Sequence, residues 1–284
     1  MSSAKSRASG PWAQLAAPNE MGVAMGHIHL FVRDVEANKQ FWAALLGATV
    51  CRKGGRCVVL QIPDLIIFLE QGDPCALSEG SVVDHVCFRV PDVAQKLLDM
   101  VSAGYRAEPA PPLKAAWNSG GRRDTGFVWS SEGEHVEIMR DSAQNTKFFL
   151  DTGEEVPRIT MTGPAVLHHL HFFVPQDSIG VLKAWYGTVF GAIPGKRWNY
   201  EAADLPGTNL NISAVPRRMS PTKGRMLDHV GFEVKRLKTF CQKLEACGVE
   251  FDKPYNQEPS GVATAFLTDP WGTYIELTEG VNYY

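Results

Sequence analysis

Runs of basic residues are missing from this 284-residue chain, and 28 Lys and Arg against 31 Asp and Glu leave a net charge of −3. A partner held through many phosphate contacts is therefore not expected, which sets nucleic acid aside and favours a small molecule. A long apolar run is also missing near the start. Residues 1–23 hold small residues and two prolines, so neither a secretory signal nor a membrane span is expected there, only a flexible tail. No C-x-x-C pair occurs among the six cysteines, Cys51, Cys57, Cys75, Cys87, Cys241 and Cys247. Without a secretory signal they read as reduced thiols in a cytoplasmic protein. At 44% hydrophobic and 21% charged, the composition is that of an ordinary globular protein, and its length suggests two domains.

What the sequence does contain is repetition. VDHVCFRV (Val83 to Val90) returns 144 positions later as LDHVGFEV (Leu227 to Val234), and GHIHLFV (Gly26 to Val32) matches HHLHFFV (His168 to Val174). Each run reads as a strand opened by a histidine and followed by a helix that ends near a glycine. From His27, His85, His169 and His229 the distances to Gly47, Gly104, Gly191 and Gly248 are 20, 19, 22 and 19 residues. The chain thus holds four copies of one unit. Three further strand-like runs follow each helix, giving β-α-β-β-β four times.

Residues 142–163 are polar and rich in turn formers, partly pinned by the apolar Phe148 to Leu150. The expected organisation is a tail over 1–23, a module over 24–141, a linker over 142–163 and a second module over 164–284. Each half carries two strand histidines and a glutamate in a late strand. The spacings are 58 and 52 residues for His27, His85 and Glu137, and 60 and 47 for His169, His229 and Glu276. A carboxylate in an apolar strand needs a partner. Two histidines and one carboxylate facing a common cavity would hold a divalent ion and leave positions open on it.

Paired β-α-β-β-β units closed by LTDPWGTYIEL (Leu267 to Leu277) resemble the vicinal oxygen chelate superfamily, which includes glyoxalase I, epimerases, fosfomycin- and bleomycin-resistance proteins and extradiol dioxygenases. The resemblance spans roughly residues 25 to 140 and 166 to 280. It implies an α+β fold of tandem modules, with four units forming two open, curved mixed sheets and helices outside. It also implies a divalent cofactor (Fe2+, Mn2+, Zn2+, Ni2+ or Co2+), a small-molecule substrate and a homodimer as one permitted assembly. Family ligands come from the first and last strands of paired units. Overlaying GTYIELT on GTNLNIS places Asn211 where Glu276 stands, and the overlay of unit one puts Phe68 there. The implied sets are His169, Asn211, His229 and Glu276 in the second half, and His27, His85 and Glu137 in the first.

His29 and His171 lie two residues beyond the ligand histidines, on the same strand face, as candidate general bases or as donors that orient a ligand. His171 would lose that function as it is protonated around its ordinary pKa of about 6.5. Arg197 to Tyr200 could line a cavity mouth. Three functional classes compete: a lyase or isomerase of glyoxalase or epimerase type, an extradiol dioxygenase with Fe(II), and a binder of bleomycin-resistance type without turnover. Extradiol enzymes carry an acid-base histidine and a tyrosine where this chain has Asn209 or Asn211 and Phe266. The non-redox lyase or isomerase is therefore preferred.

Overall fold

Asp34 begins the first helix because its carboxylate accepts a hydrogen bond from the Ala37 amide at 2.9 Å, and Gly47, in the left-handed region at φ 69°, ends it. Gly191 ends the third helix in the same way at φ 72°. Between such stops the four expected units form in a computed structural model that describes residues 15–281 except 55–56, 111–123, 157–160, 162 and 198–199. Unit one is β1 (Val23–Val32), α1 (Val35–Leu46), β2 (Thr49–Gly54), β3 (Cys57–Ile62) and β4 (Leu65–Gln71). Unit two is β5 (Val83–Val90), α2 (Val93–Ser102), β6 (Ala107–Pro109), β7 (Thr125–Trp129) and β8 (His135–Arg140). The connecting stretch holds β9 (Phe148–Leu150) and β10 (Glu155–Val156). Unit three is β11 (Val166–Pro175), α3 (Ile179–Phe190), β12 (Ile193–Arg197), β13 (Tyr200–Leu205) and β14 (Thr208–Val215). Unit four is β15 (Leu227–Val234), α4 (Leu237–Ala246), β16 (Lys253–Gln257), β17 (Ala263–Thr268) and β18 (Tyr274–Glu279).

The units do not pair as the two halves of the sequence suggest. Sheet one has the order β16-β17-β18-β15-β1-β4-β3-β2, so it joins unit one to unit four. Sheet two, β10-β9-β12-β13-β14-β11-β5-β8-β7-β6, joins unit two to unit three. The seams are antiparallel, β1 on β15 and β11 on β5, while each unit's first and last strands run parallel. The expectation that units one and two close one sheet and units three and four the other is thereby corrected. The first-strand edges of units one and two are satisfied by first strands from the opposite half. The stretch expected as a linker is partly sheet, since Phe149 pairs with Lys196 across β9 and β12.

Residue parity along β1 separates core from site. Ile28, Leu30 and Val32 join the core, while His27 and His29 point to the other face. The helices cover the core faces. Trp42 of α1 packs on Phe88 of β5 with ring centroids 6.0 Å apart, and Phe190 of α3 on Phe232 of β15 at 4.9 Å. Helices α1 and α3 thus bridge the two sheets and fix their backs together. The expected tail is also partly anchored. Asn19 donates to the Phe190 carbonyl at 2.8 Å and accepts from the Met21 and Val23 amides, so residues 15–22 are held; residues 1–14 lie outside the described ones. Among the described residues no helix is long and apolar enough to cross a membrane.

Candidate metal centres

On the open face of sheet one, His27 of β1, His229 of β15 and Glu276 of β18 converge. Glu276 Oε2 lies 2.9 Å from His27 Nε2 and 3.1 Å from His229 Nε2. The His229 ring is oriented from behind, its Nδ1–H donating to Asp228 Oδ1 at 2.6 Å while Asp228 Oδ2 accepts from the Gly224 amide. That fixes the tautomer: a neutral His229 turns the Nε2 lone pair toward a carboxylate oxygen. Two electron-rich atoms at that distance need a cation between or beside them, either a proton or a metal ion. Burial pushes the His229 pKa down, yet Asp228 and Glu276 outweigh it and raise it; the two imidazoles hold Glu276 below the usual carboxylate range despite its burial. The donor set therefore fits a divalent ion.

His27 sits in a space that only glycine leaves. Its partner across the seam is Gly231, and a Cβ there would come within 1.9 Å of the His27 ring. The fourth ligand place is filled by Phe68, packed edge-on to His27.

Sheet two repeats the plan with different residues. His85 of β5, Glu137 of β8 and His169 and His171 of β11 form one cluster. Glu137 Oε2 is 3.5 Å from His85 Nε2 and 3.3 Å from His169 Nε2, and His171 Nδ1 is 3.2 Å from His85 Nε2. Asp84 stands behind His85 as Asp228 stands behind His229, at 2.8 Å from Nδ1, and is shared with His135 at 3.3 Å. Burial lowers the His85 pKa, but Asp84 and Glu137 raise it to about 9. Asn211, on β14 beside His171, is buried with its Oδ1 lacking a hydrogen-bond partner among the described residues.

The sequence-derived candidates thus all face one of two centres, but in different company. His169 and Asn211 do not share a site with His229 and Glu276, and His27 does not share one with His85 and Glu137. The ligand sets follow the sheets, which cross between the halves. The strand overlay itself holds, because Glu276, Glu137, Asn211 and Phe68 each stand opposite the residue two beyond the strand histidine, at Gly231, Cys87, His171 and His29. His171 is packed between His85 and Ser213, and burial pushes its pKa well below the ordinary value, so titration near 6.5 does not apply to it.

His29 faces a cavity of about 320 Å³ lined also by His27, Glu276, Phe68, Glu70 and Val262. Its Nε2 is 3.2 Å from Glu70 Oε2, and burial followed by the neighbouring His229 holds its pKa well below the ordinary value. Sequence reading missed Glu70, Asp84, Asp228 and Gly231. The repeated Asp-His pair was the available signal for two of them. Tyr200 does approach the second centre, 5.5 Å from His171 ring to ring, whereas Arg197 pairs with Asp204, and Trp198 and Asn199 lie outside the described residues. A cavity of about 400 Å³ beside α3 presents no free amine. Lys183 there is bound by Asp151, Glu201 and the Gly195 carbonyl.

Similar folds are known. Glyoxalase I from Zea mays shares 15% identity over 92% of this chain and 94% of its own, with a TM-score of 0.68. A Bacillus subtilis protein provisionally named a dioxygenase shares 12% over 94% of this chain and 86% of its own, at 0.62. These likenesses establish the fold. No curated protein matches the sequence. Residues 166–277 match the family described as the Glyoxalase/Bleomycin resistance protein/Dioxygenase superfamily. The match lies in the second half of the chain, and there the sequence is similar to this superfamily. The matched stretch is units three and four, and unit four supplies His229 and Glu276 to the first centre.

Proposed function

We propose that the first centre is the working site of a divalent-metal enzyme that moves a proton on a small substrate with two neighbouring oxygens, a lyase or isomerase of glyoxalase or epimerase type. The observation that carries this reading is the placement of the His29 and Glu70 pair in the same cavity as His27 and Glu276. His27, His229 and Glu276 would hold the ion, which when bound polarises the substrate oxygens and stabilises the charge that develops on them. Phe68 and Val262 form an apolar wall that limits water. His29, neutral in its buried setting, accepts the substrate proton, and Glu70 stabilises the resulting imidazolium at Nε2. The same proposal places the protein among reduced cytoplasmic proteins, supported by the lack of a C-x-x-C pair among its six cysteines.

The test is turnover of hemithioacetal and acyl-CoA substrates under nitrogen, after chelation and reloading with nickel, cobalt, manganese or zinc. Turnover is expected without oxygen. In His29→Ala, kcat is expected to fall about 10² to 10⁴-fold while bound metal is unchanged. A second reading, a ring-cleaving Fe(II) dioxygenase, is favoured by Phe68 at the fourth ligand place, which leaves room on a six-coordinate ion for a bidentate substrate and dioxygen together. Stoichiometric oxygen uptake with a catechol would establish it and overturn proton transfer.

A further inference from the structure

The two seams carry the same irregularity with different residues on it. In sheet one the β1 register shifts between Met25 and His27, so Gly26 is the extra residue and His27 faces Gly231. In sheet two the β11 register shifts between Leu167 and His169, so His168 is the extra residue and His169 faces Cys87. A bulge sets two consecutive residues of one strand against a single residue of its partner, and so brings side chains together that a regular strand would send to opposite faces. Where sheet one has two glycines, sheet two has a histidine and a cysteine. His168 Nδ1 lies 2.7 Å from His169 Nδ1, and the nitrogen and sulfur donors of Cys87, His168 and His169 all lie within 4.8 Å of one another.

We propose that Cys87, His168 and His169 form a separate binding site for a borderline or soft metal ion such as zinc, beside the His85, Glu137 and His171 cluster of sheet two. The donor set, one thiolate and two imidazoles, is that of tetrahedral zinc with one position left for water. His169 suits this role through Nδ1, because its Nε2–H is then free to donate to Glu137 Oε2, 3.3 Å away. The His85, Glu137 and His171 set keeps two imidazoles and a carboxylate for its own ion. A cation is tolerable here despite two nearby guanidinium groups, since Arg197 is paired with Asp204 and Arg89 with Asp141, each at 3.0 Å. All three proposed ligands are buried, Cys87 at 0% exposure, so the ion would be enclosed. Binding forms the metal–sulfur bond as the Cys87 S–H proton leaves to water. The proposal concerns sheet two alone and stands apart from the reaction assigned to the first centre.

Cobalt(II) is the probe. The full chain, stripped by chelator and titrated with Co2+ without oxygen, is expected to develop a near-ultraviolet sulfur-to-cobalt charge-transfer band, which nitrogen and oxygen ligands alone do not give. Cys87→Ala should lose the band and bind one equivalent fewer, while His27→Ala should bind one equivalent fewer and keep the band. Should Cys87→Ala fail to fold by circular dichroism, His168→Gln decides, and a weakened band with an unchanged first centre is expected. No band in the intact chain, or a band that survives both Cys87→Ala and His168→Gln, would overturn the site.

Discussion

Gly231 shows how much a single position can decide. A methyl group there would overlap the His27 ring, whose nearest atom lies at 1.9 Å, and because β15 is hydrogen-bonded on both sides the backbone cannot move away. Gly231→Ala is expected to bind one metal equivalent fewer and to lose activity, with circular dichroism unchanged; full metal content in that variant would contradict the placement of His27. The aspartates act at one remove. Asp228→Asn keeps the shape but weakens the grip on His229 Nδ1, so metal affinity at the first centre should drop about 10 to 100-fold, read by competition with a chelating dye. Glu134 adds a pH effect behind the second centre, where His135 and Asp84 also act on its carboxyl. Burial raises its pKa although Ser78 donates to it from both its amide and its hydroxyl. A folded value above the unfolded one means that the native state holds the proton more tightly, so this stability is present at low pH and declines as pH rises through the folded value. Glu134→Gln should flatten the pH dependence of urea unfolding over that window. The strand histidines and glutamates were legible because the repeat exposed them. Gly231 and Glu70 were not, since a glycine within a strand and an acid at a strand end say nothing of their role until the opposite strand is known.

At the scale of elements, the sequence showed most of what formed. Periodicity placed the helices, and the glycines at 47 and 191 stop α1 and α3 as expected. The bulges at Gly26 and His168 were invisible, because a bulge is a relation between two strands and the partner strand was misassigned. Helix α3 matters most beyond its own unit. The Tyr186 hydroxyl donates to Asp269 Oδ2 at 2.8 Å inside the turn that launches β18, the strand that carries Glu276. Tyr186→Phe should lower stability by about 1.5 to 3 kcal/mol, the range for a hydrogen bond to a charged group, measured by urea unfolding. A loss under half a kcal/mol would mean that the turn holds Asp269 without it.

For the whole molecule the decisive fact is the crossing of units between halves, which local pattern could not reveal: all four first strands read alike, and hydrophobic alternation does not say which edge meets which. Each half supplies part of both centres. Separately expressed fragments covering 24–141 and 164–281 are therefore expected to bind no metal alone and to recover the cobalt spectrum when mixed and refolded together. Metal binding by either fragment by itself would show that a half can close its own sheet.

The topology is also nested, like one pair of brackets inside another. Sheet two is complete once the chain has reached Val215, whereas sheet one waits for strands that end at Glu279. A ribosome making this protein would release an inner sheet able to fold while β1, with its open edge, still lacks β15. The β1 edge of unit one must then remain unpaired for the whole synthesis of units two and three, a long loop to close and an edge open to wrong partners in the meantime. The first centre, which uses His27 from near the beginning and Glu276 from near the end, can come into being only after the last strand has emerged.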